Sequence, residues 1–460
     1  MSSKTIDFDV LKRFNSQGPR YTSYPTAPLF SSEFTAGDLR QEIIETNKVT
    51  DRPLSLYFHF PFCAKLCYFC GCNMRVTHDR KLISQYNEYL KKEIDLIAPL
   101  VSRDRKVVQM HWGGGTPSYL LPEEILEVGN YIKERFDFAD DIEASVEIDP
   151  RNMVREHIEA FAGAGFNRTS FGVQDFNLRV QQAINRVQSE EITRQVVEWA
   201  REFGFRSINL DLIYGLPYQT IETFSETVDK VIDISPDRVA VFNYAHVPWL
   251  KKHQAVMPTE AMPSPDQRLA ILKMTSEKLT AGGYEYIGMD HFAKPTDELA
   301  IAKNEGTLYR NFQGYSTKAG TDLYAFGTSA ISQFENVYAQ NQKDIKAYYA
   351  AVDSGKLATN VGYRMTRDDH IRKDVIMQLM CDLEIDKGEV EKKFGIEFDE
   401  YFKQDIPKLE RFANEGLVTV DDNKIRVIDS GILVIRNIAM CFDAYLEEMM
   451  RTRPVFSETV

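Results

Sequence analysis

The sequence predicts an α/β fold, because six apolar strand signals alternate with amphipathic helical stretches and the residue clusters that carry chemistry fall at the C-terminal ends of those strands. A change in character after about Asn360, to charged helical stretches and one short hairpin, predicts a separate C-terminal module. Strands that alternate with helices pair in parallel through right-handed crossovers. Six such units fit an incomplete (β/α)6 barrel similar to the triosephosphate isomerase fold, and they fit a flat doubly wound sheet equally well.

Residues 1–50 read as an N-terminal arm. Gly18-Pro19 and Tyr24-Pro25 favour extended or turning backbone, and a helix is expected over Ala36–Thr46. Residues 51–250 carry the six units, with strands expected at Leu54–Phe60, Val107–Trp112, Ile142–Ile148, Arg168–Val173, Ser207–Ile213 and Arg238–Tyr244. Among the intervening helices are Leu82–Ile97 and Pro122–Phe136. Residues 251–359 form an irregular extension with a helix near Asp266–Ala281 and a strand at Tyr284–Met289. In residues 360–460, helices, a hairpin through Asp421–Lys424 and a final helix from about Ser430 predict a mainly helical, winged-helix-like domain. That segment holds 15 Lys and Arg against 21 Asp and Glu, so packing against the catalytic part suits it better than binding DNA.

Directly after the first strand, Cys63, Cys67 and Cys70 stand at C-x3-C-x2-C spacing, with Cys72 two residues on. One loop can aim three thiolates at a common point. Three thiolates can hold three irons of a [4Fe-4S] cube and leave the fourth iron open for a ligand, whereas electron-transfer clusters take four cysteines. A zinc site through all four cysteines is the alternative, but Cys70-Gly71-Cys72 is cramped as a second ligand pair. A disulfide framework fits poorly, with six cysteines in 460 residues and four of them in one loop. Cys381 and Cys441 read as buried and inert.

Three further segments stand at strand ends. Gly113-Gly114-Gly115-Thr116-Pro117 follows the second strand, where glycines let backbone approach a ligand closely. It is no P-loop, since Gly-Lys-Ser/Thr is missing. Glu147 ends the third strand and can meet ribose hydroxyls, although a solvated strand-end charge reads the same way. Tyr57 and His59 share one face of the first strand, either as a half-buried aromatic pair or as polar support for the cysteine loop.

The cysteine loop, with Phe69 just before its last cysteine, resembles the radical S-adenosylmethionine (SAM) superfamily. Within it, the stretch Cys67-Tyr68-Phe69-Cys70-Gly71-Cys72-Asn73 is similar to the oxygen-independent coproporphyrinogen III oxidases, also called coproporphyrinogen dehydrogenases. Gly18–Thr26, His111–Pro117, Asn209–Pro217 and Arg310–Tyr315 share that resemblance, so it covers most of the chain. The resemblance implies the barrel rather than the flat sheet. It also implies a [4Fe-4S] cluster on Cys63, Cys67 and Cys70, with Cys72 left free, and two molecules of SAM.

By the same resemblance, Gly114, Gly115, Thr116, Glu147, Tyr57 and Ile331 serve the first SAM, and Phe69, Gln174, Arg186, Asp211 and Ala245 the second. An internal Arg186–Asp211 ion pair is the plainer reading of those two. Tyr57, His59, Arg310 and Gln313 are expected at the chemistry, with Arg20, Tyr21 and Tyr24 of the arm at the substrate or its entrance. The implied activity is anaerobic oxidative decarboxylation of two propionates of coproporphyrinogen III to vinyl groups, giving protoporphyrinogen IX in haem biosynthesis. It needs a one-electron reductant for the cluster and an electron acceptor whose identity the sequence does not give. A related haem chaperone without decarboxylase activity is the rival, although such chaperones generally lack Cys70-Gly71-Cys72-Asn73 and the Gly18–Thr26 arm.

The formal net charge of −13 argues against a general nucleic-acid surface, so a polycarboxylate must be met by a local basic patch. No secretory signal is visible in the first ten residues. No apolar run reaches the roughly 20 residues of a membrane span, and the best stretch, 431–446, is broken by Arg436 and Asp443. A cytoplasmic monomer is expected, where cluster thiols remain reduced.

Overall fold

The computed structural model describes residues 12–48, 51–452 and 456. Residues 1–11 of the expected arm lie outside the described residues. Six strands appear where the sequence places them: β1 Leu54–Phe60, β2 Val107–Gly114, β3 Phe138–Ile148, β4 Arg168–Gln174, β5 Ser207–Tyr214 and β6 Arg238–Asn243. They pair in parallel in chain order. The central strand β1 is buried on both faces except at Tyr57, as a parallel sheet covered by helices requires.

Helices α1 Ala36–Thr46, α2 Arg80–Ile97, α3 Pro122–Arg135, α4 Arg155–Gly163, α5 Leu178–Ala183, α6 Glu190–Glu202, α7 Ile221–Ile234 and α8 Pro265–Ala281 punctuate the chain. In α2 the apolar positions Ile83, Tyr86, Leu90, Ile94 and Ile97 repeat every three or four residues and are all buried, while Asp79 caps its first turn by accepting from the Lys81 N–H. Between β2 and the helices, fully buried Trp112 packs against Phe60, Phe161 and Phe166 at centroid distances of 4.7, 6.3 and 4.9 Å. Each such aromatic pair adds roughly 0.5–1.5 kcal/mol beyond burial.

The extension is more ordered than its sequence suggests. It contributes β7 Glu285–Gly288, β8 His291–Ala293, the hairpin β9 Tyr309–Asn311 and β10 Gly314–Ser316, and β11 Asp322–Phe326, β12 Ile331–Gln333, β13 Val337–Asn341 and β14 Thr359–Arg364. The main sheet has twelve strands in the order β14-β13-β12-β11-β1-β2-β3-β4-β5-β6-β8-β7. β11 lies parallel to β1 on the side away from β2, and a buried ion pair between Arg105 and Asp322 ties the strand starts together. No ladder joins β6 to β11 among the described residues, so the barrel stays open.

β14 pairs with β13, so the boundary expected at residue 360 falls inside a strand and the C-terminal domain begins with the helix Arg367–Asp382. Its hairpin Val418–Val420 and Lys424–Val427 gains a third strand, Glu384–Asp386, that periodicity missed because it is only three residues long. The final helix expected from Ser430 is interrupted. Short helical pieces run to Phe442, then the Asp443 carboxylate accepts from the N–H groups of Tyr445 and Leu446 and starts a new helix, Leu446–Thr452. The arm packs into this domain's core through Phe14, Tyr21 and Tyr24. Among the described residues no helix is long and apolar enough to cross a membrane.

Candidate active site at the C-terminal ends of the strands

Cys63, Cys67 and Cys70 line a cavity of about 290 Å³ together with Phe69, Gly114, Gly115, Thr116, Glu147, Gln174, Arg186 and Asp211. The C-terminal ends of β1 to β4 with the loops that follow them, and Asp211 from within β5, therefore converge there, as the barrel architecture predicts. None of the three cysteines is in a disulfide. Each sulfur meets a donor: Thr116 Oγ1 lies 3.1 Å from Cys63 Sγ, Arg151 Nη2 3.5 Å and Arg186 Nη1 3.7 Å from Cys67 Sγ, and the Cys72 N–H 3.4 Å from Cys70 Sγ. Such donors stabilise thiolates and cluster sulfurs. Among the described residues no three His, Cys, Asp or Glu side chains are gathered as tightly as one mononuclear ion needs. The donor set, the hydrogen bonds and the empty space beside them fit an iron–sulfur cube with a ligand next to it.

The loop is held from two sides. Past α5, Asn185 Nδ2 donates to the Leu66 carbonyl at 2.8 Å and the Tyr68 N–H donates to the Ile184 carbonyl at 3.0 Å. Past β6, Lys251 Nζ lies 2.9 Å from the Cys72 carbonyl, His253 Nε2 2.8 Å from the Cys70 carbonyl and Gln254 Nε2 3.0 Å from the Phe69 carbonyl. Sequence reading missed all of these, because their spacing along the chain carries no motif.

Tyr57 and His59 support the loop from β1. His59 Nε2 lies 2.8 Å from the Asn73 carbonyl and Nδ1 lies 3.1 Å from the Tyr57 hydroxyl. Burial lowers the His59 pKa, which favours one neutral tautomer that donates to Asn73 and accepts from Tyr57. Gly114 has φ +112°, and a Cβ there would fall 2.5 Å from the His59 ring. At Gly115 a Cβ would fall 2.7 Å from the Pro61 backbone. The glycines are thus required by contact with β1 and its loop, and they leave the cavity wall bare.

Two carboxylates face the cavity differently. Burial raises the Glu147 carboxyl, but the hydrogen bond and charge of His111 and the Gly114 N–H, 3.0 Å away, outweigh it and hold Glu147 below the usual glutamate range. Its side chain is 47% exposed to the cavity although it lies deep in the fold. Asp211 is pushed up to about 6, chiefly by burial, with the Ser170 hydroxyl at 2.8 Å and the Asn209 amide at 2.7 Å as donors. The Arg186–Asp211 ion pair considered from sequence does not form. Arg186 instead meets Asp149 at 3.2 Å and donates to the Gly172 carbonyl at 2.6 Å, because Gly172 has no Cβ to block it. Arg186 and Arg151 hold the Asp149 carboxyl at about 2 against the cost of burial. Gln174 takes φ +70°, a left-handed backbone that non-glycine residues adopt at a cost and often at functional sites.

The remaining expected residues lie apart. Ala245 lines a neighbouring cavity under the arm, and its carbonyl is linked to that of Phe69 through the Gln254 amide. Gln313 lines a cavity of about 200 Å³ inside the barrel, with its Nε2 buried and unpartnered, beside His111, Glu147 and Asp211. Ile331 starts β12, two strands beyond β1, and is not among the residues lining these cavities. Arg310 is 3% exposed; its guanidinium lies over the Tyr315 ring at 4.7 Å and donates to the Arg20 carbonyl at 3.2 Å, so it props the arm rather than facing a cavity. Arg20 is paired with Asp290. Tyr21 and Tyr24 face the C-terminal domain instead, with the Tyr21 hydroxyl 2.9 Å from Asp443 and the Tyr24 hydroxyl accepting from the Ala444 N–H at 3.0 Å.

The family model described as Radical SAM superfamily matches residues 57–231, and one described as HemN C-terminal domain matches residues 365–434. The chain is 48% identical over 453 residues, 98% of either chain, to the oxygen-independent coproporphyrinogen III oxidases of Salmonella typhimurium and Escherichia coli. It is 45% identical over 462 residues, 99% of either chain, to that of Synechocystis. The solved coproporphyrinogen III oxidase (HemN) of Escherichia coli, reported as a radical SAM enzyme, superposes with a TM-score of 0.91 at 47% identity, covering 95% of this chain and 99% of that one. The chain belongs to the oxygen-independent coproporphyrinogen III oxidase family of radical SAM enzymes.

Proposed function

We propose that this protein converts coproporphyrinogen III to protoporphyrinogen IX by decarboxylating two propionate side chains without oxygen. The observation that carries the reading is the convergence of Cys63, Cys67 and Cys70 with the bare Gly114–Thr116 wall on one cavity. When bound, the reduced cluster and SAM supply a 5′-deoxyadenosyl radical that takes one β-hydrogen atom from a propionate, after which CO2 and one electron leave and a vinyl group remains.

The chain's own residues bind, orient and exclude water. Cys63, Cys67 and Cys70 would hold the cluster, and Cys72, which lines the same cavity, would be left out so that the cluster keeps an open site. The Gly114–Thr116 backbone meets the methionyl amine of a first SAM, and Glu147, kept ionised by His111, accepts from its ribose. Phe69, Gln174, Arg186 and Asp211 receive a second SAM, and Ala245, tied to Phe69 through the Gln254 amide, closes that site from the side of the neighbouring cavity. Arg186 offers its fork to the carboxylate and Asp211 meets the ammonium or a hydroxyl. Tyr57 and His59 fix the loop, and Gln313 offers its amide N–H to the reacting group from inside the barrel. Ile331 acts from the sheet beyond β1, and a cytoplasmic monomer remains the expected form.

The test is anaerobic reconstitution with iron and sulfide, then incubation with coproporphyrinogen III, SAM and a low-potential reductant. Protoporphyrinogen IX, two CO2 and matching methionine and 5′-deoxyadenosine are expected. Haem binding with no CO2 released from a cluster-loaded protein would favour the chaperone instead.

A further inference from the structure

Beside the cysteine cavity lies a second one of about 320 Å³, roofed by the arm and lined among others by Arg20, Asn243, Ala245, Trp249 and Arg268. Two guanidinium-bearing residues from distant parts of the chain, the arm and α8, thus face one space. Trp249 is 54% exposed, although a large aromatic ring favours burial. The volume sits at the small end of ligand sites and suits one pyrrole ring with its side chains, not a whole tetrapyrrole.

Position and charge point the same way. The Arg20 guanidinium lies 5.7 Å from the centre of the Phe242 ring, and Phe242 lines the cysteine cavity. A group gripped by Arg20 would therefore sit one aromatic ring away from that cavity. Burial and the like charges of Arg436 and Arg310 push Arg20 down to about 9, and burial with Arg310 pushes Arg436 down to about 10. Both stay cationic at neutral pH, and although Asp290 pairs with Arg20, an entering anion adds a counter-charge where three guanidiniums crowd together. Bidentate guanidinium–carboxylate pairs are the strong form of that interaction.

From this geometry we infer that Arg20 and Arg268 hold a propionate carboxylate of the tetrapyrrole that is not being attacked, while Trp249 covers the pyrrole that bears it, so that another propionate reaches the cysteine cavity. The inference rests on the decarboxylase reading and deepens it by naming the residues that choose a polycarboxylate. It assigns Arg268 and Trp249, which no sequence motif marks, and it gives Arg310 the role of positioning Arg20.

The probe is coproporphyrin III, the stable oxidised tetracarboxylate, titrated into full-length, cluster-loaded protein and compared with its tetramethyl ester. Arg268→Ala and Arg268→Lys should each weaken coproporphyrin III binding by about tenfold or more, the loss of one charge-assisted hydrogen bond. Both should raise KM for coproporphyrinogen III and leave substrate-free SAM cleavage unchanged. Trp249→Phe should abolish most of the tryptophan quenching that accompanies binding, and the ester should bind wild type and Arg268→Ala equally.

Wild-type affinity in both Arg268 variants would overturn the inference, as would loss of SAM cleavage in step with loss of binding, or ester and tetra-acid binding wild type alike. If wild type binds coproporphyrin III through Arg268 yet never releases CO2, the decarboxylase reading falls alone. If wild type releases CO2 and the Arg268 variants keep their KM, only this inference falls.

Discussion

At the cysteine cavity the cations are matched: Arg186 and Arg151 both close on Asp149, and the pair drives that carboxyl down to about 2. Under the arm, Arg20 has Asp290 as its partner but shares its surroundings with Arg310 and Arg436, and burial with those like charges pushes its guanidinium down to about 9, towards the neutral form. The first region is therefore electrostatically settled before any ligand arrives, while the second holds positive charge that a ligand can neutralise. A cluster needs fixed donors that do not move when it changes charge, and a polycarboxylate needs cations that gain from its arrival. The two halves of the mouth differ in the sense their two ligands require.

The largest way to break the comparison is at the cluster. Cys67→Ser should lose the [4Fe-4S] absorbance and all SAM cleavage, whereas Cys72→Ser should retain both; iron content and visible spectra of the reconstituted proteins decide it. Loss of the cluster in Cys72→Ser would move that residue into the ligand set.

Next in size is Arg186→Ala. It leaves Asp149 to Arg151 alone, and should keep the cluster and the first SAM yet lower bound SAM from two equivalents towards one and abolish decarboxylation. Equilibrium dialysis with labelled SAM checks it. A single equivalent already in wild type would return Arg186 and Asp211 to a structural role.

Asp211→Asn tests the carboxylate that the matched region leaves unsettled. The folded carboxyl titrates at about 6 against 3.8 in an unfolded chain, so its contribution is fully present below about pH 4 and is lost as pH rises through 6. The variant should flatten that decline, by about 1 kcal/mol out of a full span of about 3 kcal/mol, in urea unfolding of the apoprotein at pH 5 and pH 7. An unchanged difference between the two pH values would assign the slope to other groups.

Gly114→Ala sharpens the packing side. With φ +112° and the His59 ring 2.5 Å from the added Cβ, destabilisation of about 1–3 kcal/mol is expected from strain and overpacking. Thermal unfolding of the apoprotein measures it. The smallest effect is expected from Arg310→Lys, which keeps charge but loses the fork over Tyr315. It should raise KM severalfold through a misplaced Arg20, with substrate-free SAM cleavage intact.

The cysteine half was readable because each of its parts is a short contiguous word at the end of a strand. Cys63–Cys72, Gly113–Thr116 and Glu147 need only local backbone direction to reach one point, and parallel strands supply that direction. The arginine half was not readable in the same way. Arg20 was found through the arm's motif, but Arg268 stands in the first turns of α8, which carries no motif, and Trp249 in an unremarked loop. Only the packing of α8 and the arm over β5 and β6 puts them together. The same holds for Lys251, His253 and Gln254, whose contacts are with backbone carbonyls that present no side-chain signature.

By itself the sequence determined the six βα units, the cysteine loop and the strand-end residues around it, since hydrophobic periodicity and short motifs act over a few residues. It set a boundary at residue 360 that falls inside β14, and it left open the strand order of the extension. Parallel β11 beside β1 depends on pairing between residues more than 260 apart, such as Leu54 with Asp322, and the antiparallel strands beyond it, though near one another in the chain, are too short to carry a pattern that reveals a partner. Tertiary structure alone decided which carboxylate Arg186 meets, which arginines crowd Arg20, and the charge states that follow. Those outcomes are set by burial and by neighbours brought in from remote segments, and no local spacing encodes them.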